Sequence, residues 1–148
     1  MVSLFVRFLQ LPTAKRWLLF EATLGLALAR LAVLTLPFRW IMAALGQRLE
    51  AAAAATEPAQ LADIQDVAWA IRLVSRRTPW QSNCLAQALA GLVMLQRRGI
   101  IGTLYLGVLK GQDRHLAAHA WLHSNDMIVT GGGQLERYTV LAHFSQRG

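Results

Sequence analysis

The chain has 148 residues, is 55% hydrophobic and only 16% charged, and carries 15 Lys and Arg against eight Asp and Glu, for a net charge of +7. That length fits one domain, or one domain with an appendage, and that composition excludes a disordered chain. A single cysteine excludes an internal disulfide framework and a four-cysteine zinc site, and it suits a reducing, cytoplasmic setting. The basic balance suits acidic partners.

Residues 1–11 are apolar around one Arg7 and read as a short helix or arm rather than a secretory signal. Leu11-Pro12-Thr13 marks a helix start, with Thr13 as the capping hydroxyl. Trp17, Phe20, Leu24, Leu28 and Leu31 follow at the 3.6-residue period, and Leu19, Leu26 and Val33 fill other faces. Such a helix is expected to be buried on more than one side. A spanning helix needs about 20 apolar residues with few charges. Glu21, Arg30 and Arg39 interrupt this run, so a buried helix, or one lying on a partner or a membrane surface, is the expectation. Pro37 opens a second helix to about Leu49.

The alanine run 51–55 reads as a hinge between a helical region, 1–55, and a core, 56–148. Residues 14–49 are expected to pack partly on that core and to leave an apolar surface. A third helix spans Pro58 to Ser75, with Leu61, Ile64, Val67, Ala68, Ile71 and Val74 on one stripe. A fourth starts near Ser82–Cys84 and closes at Arg97-Arg98-Gly99, with cations in its last turn and glycine just past it. The period then changes to two. Strands are expected over 103–108, 116–123 and 127–130, and a last one over 137–142, as an antiparallel meander. Helices followed by strands define an α+β fold.

Cys84 stands in the first turn of an apolar helix, where partial positive charge and free N–H groups favour a thiolate and an oxyanion. A buried structural cysteine is the alternative. A thiol nucleophile needs a base, and His119 lies mid-strand between small residues. A helix bearing the cysteine, packed on that strand, can bring the two together. His115, His119 and His123 are spaced by four. On a strand they lie about 13 Å apart, too far for one metal ion. His123 and His143 read as surface or rim residues, the five tryptophans as core, and Arg76-Arg77 and Arg97-Arg98 as solvated helix ends. No phosphate loop or nucleic-acid recognition motif is present, so no cofactor is expected.

The blocks Pro79-Trp-Gln-Ser-Asn-Cys-Leu-Ala-Gln-Ala-Leu-Ala, Leu95-Gln-Arg-Arg-Gly-Ile, Leu106-Gly-Val and Ala118-His-Ala-Trp-Leu resemble the lasso peptide biosynthesis B2 proteins. Arg16-Trp-Leu-Leu-Phe-Glu-Ala, Leu36-Pro-Phe-Arg39 and Glu136-Arg-Tyr-Thr-Val-Leu extend the likeness over nearly the whole chain. The resemblance implies a transglutaminase-like, papain-related core. It implies a cysteine peptidase that removes the leader from a ribosomally made precursor, with Cys84 as nucleophile and His119 as base and acid. The implied partners are the precursor peptide, a small leader-recognition protein and an ATP-dependent lasso cyclase. Contact with a membrane through the N-terminal helices is a further possibility. The family's usual third member is an Asp about a dozen residues past the histidine. Thr130-Gly131 stands there, and Asp126 is the nearest acid. Asp126, a main-chain carbonyl or an Asn orients His119, or the site is a dyad. The rival reading is a non-catalytic binding or scaffold module of a peptide-maturation complex, docking through its apolar basic helices with Cys84 in the core.

Overall fold

A computed structural model describes residues 2–49, 60–77, 84–110, 116–124, 127–132 and 135–145. The hinge alanines, His115 and Asp126 fall outside them. Five helices come first: α1 (Val2–Gln10), α2 (Thr13–Thr35), α3 (Phe38–Leu49), α4 (Gln60–Ser75) and α5 (Cys84–Arg97). Four strands follow: β1 (Thr103–Lys110), β2 (Leu116–Ser124), β3 (Met127–Thr130) and β4 (Thr139–Ser145). The fold is α+β, as the change of period requires. The sheet is antiparallel, with strand order β3-β2-β1-β4. It is a meander for three strands only. The last strand starts two residues later than its sequence pattern suggested, after a 3₁₀ turn at Leu135–Arg137, and pairs with β1 instead of β3.

α4 and α5 cover one face of the sheet, and α2 packs across both helices from the other side. α5 is therefore buried on two sides, which its small residues permit. Ala86, Ala88, Ala90 and Gly91 are buried along with Leu89, Leu92, Met94 and Leu95. A Cβ built on Gly91 would lie 2.8 Å from Leu122 Cδ2 of β2, and one on Gly25 of α2 would lie 3.5 Å from Ala90 Cβ. One buried cluster takes Leu18, Leu19, Ala22 and Leu26 from α2 together with Ile64, Ile71, Leu92 and Leu122. Full burial of a leucine such as Leu26 contributes about 2 kcal/mol.

The burial of α2 reverses one expectation. Trp17, Phe20, Leu24, Leu28 and Leu31 all face solvent, Trp17 at 67% exposure. The inward side is the opposite one, where Ala22 and Ala29 let the backbones approach. Among the described residues α2 is buried on one side, where α4 and α5 cover it. Nor do the described tryptophans form a core: Trp17 and Trp40 are exposed, Trp69 is half-buried and only Trp121, at 4% exposure, is buried, while Trp80 lies outside the described residues. Thr13 is not a cap either. Pro12 holds the N-cap position without any side-chain cap, and the Thr13 hydroxyl accepts from Arg16 at 3.3 Å.

Glu21 explains how a carboxylate sits in so apolar a helix. Its two oxygens receive the Arg98 guanidinium as a fork, at 3.0 and 2.7 Å, and Arg97 adds a bond of 3.0 Å. Arg98 also donates to the Met94 carbonyl at 2.9 Å. The arginine pair is thus no solvated helix end but the clamp between α2 and the end of α5. Gly99 (φ 68°) turns the chain out of α5, with Ile100 N–H reaching the Leu95 carbonyl at 2.9 Å. Lys15 pairs with Asp66 at 2.7 Å, but both are about two-fifths exposed, so the pair adds little.

The bond from Arg98 holds the Glu21 carboxyl below its ordinary value of 4.5, against the opposing effect of burial. A lowered folded value means that the stabilisation is complete above pH 4.5 and is lost as pH falls through the folded value. Glu21→Gln should lower the unfolding free energy at neutral pH by about 1–3 kcal/mol. The gap to wild type should close as pH falls below about 4.5. Thermal melts of both proteins across that range measure it, and parallel curves would show that the clamp contributes nothing.

Candidate active site

Cys84 is the first described residue of α5 and is half-buried against the core. It borders an apolar groove of about 450 Å³ whose walls include Phe38 of α3, Leu106 of β1, Ala118 and Ala120 of β2, and Leu141 of β4. His119 borders the same groove from β2, where it pairs with Gly107 of β1. A bulge falls at this point: Leu106 pairs with Ala142 but Gly107 with Val140. The two sequence-predicted residues therefore meet at one groove, across the packing of α5 on the sheet.

Strand alternation puts Ala118, Ala120 and Leu122 on the face covered by α5, and His119 and Trp121 on the other. The His119 ring lies 5.8 Å from the Trp121 ring and 4.9 Å from that of Tyr138. Trp121 in turn stacks on Tyr105 at 5.5 Å. No hydrogen bond among the described residues joins the Cys84 sulfur to the imidazole.

The ring nonetheless has a definite partner. His119 Nε2 lies 2.8 Å from the Gly131 carbonyl oxygen. A carbonyl only accepts, so Nε2 carries the proton and Nδ1 is left as the basic atom. Gly131 stands twelve residues past the histidine, just beyond β3. Its φ is 74°, and a Cβ there would lie 2.6 Å from the Ala120 carbonyl oxygen. Only glycine fits. This carbonyl was one of the alternatives the sequence left open; the aromatic surround of Tyr105, Trp121 and Tyr138 was not foreseen.

His123 is half-buried. Its ring contacts Tyr105 at 5.2 Å, Nε2 is buried with no hydrogen-bond partner among the described residues, and burial pushes its pKa below 6.5. His143 is exposed, 6.0 Å from the same tyrosine. No group of three or more His, Cys, Asp or Glu among the described residues is arranged for a metal ion. A second cavity of about 620 Å³ runs between α4 and β3 and borders Gly131 on its far side. Arg72, Arg76 and Ser75 line it, with Thr130, whose buried hydroxyl has no hydrogen-bond partner among the described residues. Among the described residues its wall holds two guanidiniums and no carboxylate, which suits an anionic group.

Cys84 stands at the start of the described part of a helix that packs on an antiparallel sheet, and His119 on an inner strand of that sheet, which together define an α+β fold with a candidate cysteine–histidine site. The chain belongs to the transglutaminase-like superfamily, whose sequence profile matches residues 32–143, well over half its length. Comparisons with curated proteins and with solved structures give no match. The family includes thiol proteases and transglutaminases, which supports a coarse reading as an enzyme.

Nitrogen NMR should find His119 in the Nε2–H form once the ring is neutral. Gly131→Ala should destabilise the fold by about 1–3 kcal/mol and disturb that tautomer. An unchanged melting temperature and an unchanged ring spectrum would show that the Gly131 carbonyl does not hold the ring.

Proposed function

We propose that the protein is a cysteine peptidase that removes the leader from a lasso peptide precursor. The observation that carries the enzyme reading is the single groove bordered by Cys84 and His119 within a transglutaminase-like chain. Leader removal rests on the resemblance of the Cys84 and His119 blocks to the lasso leader peptidases. The partners proposed with it are the precursor, a small leader-recognition protein and an ATP-dependent cyclase, in the cytoplasm.

In this mechanism His119 Nδ1 takes the Cys84 proton. The sulfur attacks the scissile carbonyl, and free N–H groups of the first turn of α5 receive the oxyanion. The C–N bond breaks as the imidazolium gives its proton to the leaving amine. Water, deprotonated by Nδ1, then hydrolyses the thioester and frees the sulfur. The chemistry requires the ring to present Nδ1 to Cys84 when peptide fills the groove; catalytic contacts that are long in an empty site commonly tighten on binding. The Gly131 carbonyl orients the ring in place of a carboxylate.

A second reading has an observation in its favour. With the imidazole held by the Gly131 carbonyl and packed among aromatic rings instead of bonded to the thiol, the chain would serve as a binding module for the precursor complex.

Cys84→Ala should abolish leader cleavage in a reconstituted mixture while leaving the melting temperature near wild type. Wild-type cleavage by this variant would exclude Cys84 as the nucleophile. An intact protein with an unreactive thiol would favour the binding module. Asp126→Ala should cost only a few-fold in turnover. Loss of an orienting Asp from a triad costs about 10⁴, and a collapse of that size would restore Asp126 as third member.

A further inference from the structure

We propose that the N-terminal helices dock the protein on an anionic lipid surface, with α1 and the outer face of α2 lying in the plane of the headgroups. Three observations carry this. First, α1 has no cover: residues 3–10 are all exposed, and a helix of nine residues is not stable alone in water. Its sequence is strongly two-sided. Ser3, Arg7 and Gln10 form one polar stripe, and Leu4, Phe5, Val6, Phe8 and Leu9 fill the remainder. That pattern marks a helix that lies in a membrane interface.

Second, the outer stripe of α2 continues the apolar surface. Trp17, Phe20, Leu24, Leu28, Leu31 and Leu34 are each more than half exposed. They run for about 25 Å along one side of the helix. Trp40 of α3 is also exposed.

Third, the charge is of one sign. Glu21 is the only acidic residue between positions 1 and 49, and Arg97 and Arg98 neutralise it. Arg7 stands on the polar stripe of α1, and helical spacing puts Arg16 and Arg30 along one flank of the α2 stripe. Cations beside an apolar face can extend their heads to lipid phosphates while their stems stay in contact with the apolar surface.

α2 is long and apolar enough to cross a bilayer by length and composition. Its other side, however, is fixed to α4 and α5 by buried leucines and by the Glu21 clamp. Lipid cannot surround it, so it lies on the surface. This docking is independent of the chemistry at Cys84.

The test is flotation of the full chain with vesicles of phosphatidylcholine alone or mixed with phosphatidylglycerol. Binding is expected to the mixed vesicles, with a blue shift of tryptophan emission. The double variant Leu24→Glu/Leu28→Glu changes only exposed side chains, so it should melt near wild type and bind about tenfold more weakly or worse. Leu4→Glu/Phe8→Glu should act in the same direction. No binding to the mixed vesicles, or binding that both double variants leave intact, would overturn the proposal. So would a lipid-free dimer abolished by Leu24→Glu/Leu28→Glu with no vesicle binding, which would make a second copy the occupant. Resistance to alkaline extraction would overturn the surface geometry in favour of a span.

Discussion

The fold depends on one helix being narrow enough to lie between two layers. α5 meets the sheet on one side and α2 on the other, and its alanines and Gly91 set how closely each can approach. Close approach matters because dispersion contacts weaken steeply with a gap of even an ångström. Everything functional hangs on this placement. It sets Cys84 at the groove, and it gives α2 a single inner face. The Glu21–Arg98 clamp then fixes the end of α5 farthest from Cys84, so the helix is held at the end away from the candidate site and packed along its length.

How far the sequence disclosed this can be judged element by element. The helix periods, the change to alternation after Gly99 and the glycine stop itself carried the α+β architecture, since each is a local rule. What failed was non-local. Hydropathy shows that α2 is apolar on most sides, but not which side has a neighbour; Trp17 and Leu28 are as apolar as Leu26 and lie opposite it. The pairing of β4 with β1 is likewise a choice among edges that no local pattern encodes. Arg97-Arg98 gave no hint of Glu21, because their partner lies 76 and 77 residues away.

The candidate site was half legible. Cys84 and His119 are distinguishable by residue type and by their place on helix and strand, and both reach one groove. The direction of the imidazole was not legible, because alternation names two faces without saying which one α5 covers. The Gly131 carbonyl was visible only as a gap where an acid was expected. Main-chain acceptors exist at every residue, so the sequence cannot mark one out. The positive φ that aims this one is compatible with the glycine, but Gly131, Gly132 and Gly133 are equally so.

A main-chain acceptor also differs from a carboxylate in having no proton to gain. An Asp partner becomes neutral in acid and weakens as an acceptor within a folded protein. The Gly131 carbonyl keeps the same dipole at every pH at which β3 and its following turn persist. The hold on His119 therefore has no titration of its own. It shares the cooperativity of the fold, so the ring is released by unfolding and not by acid alone.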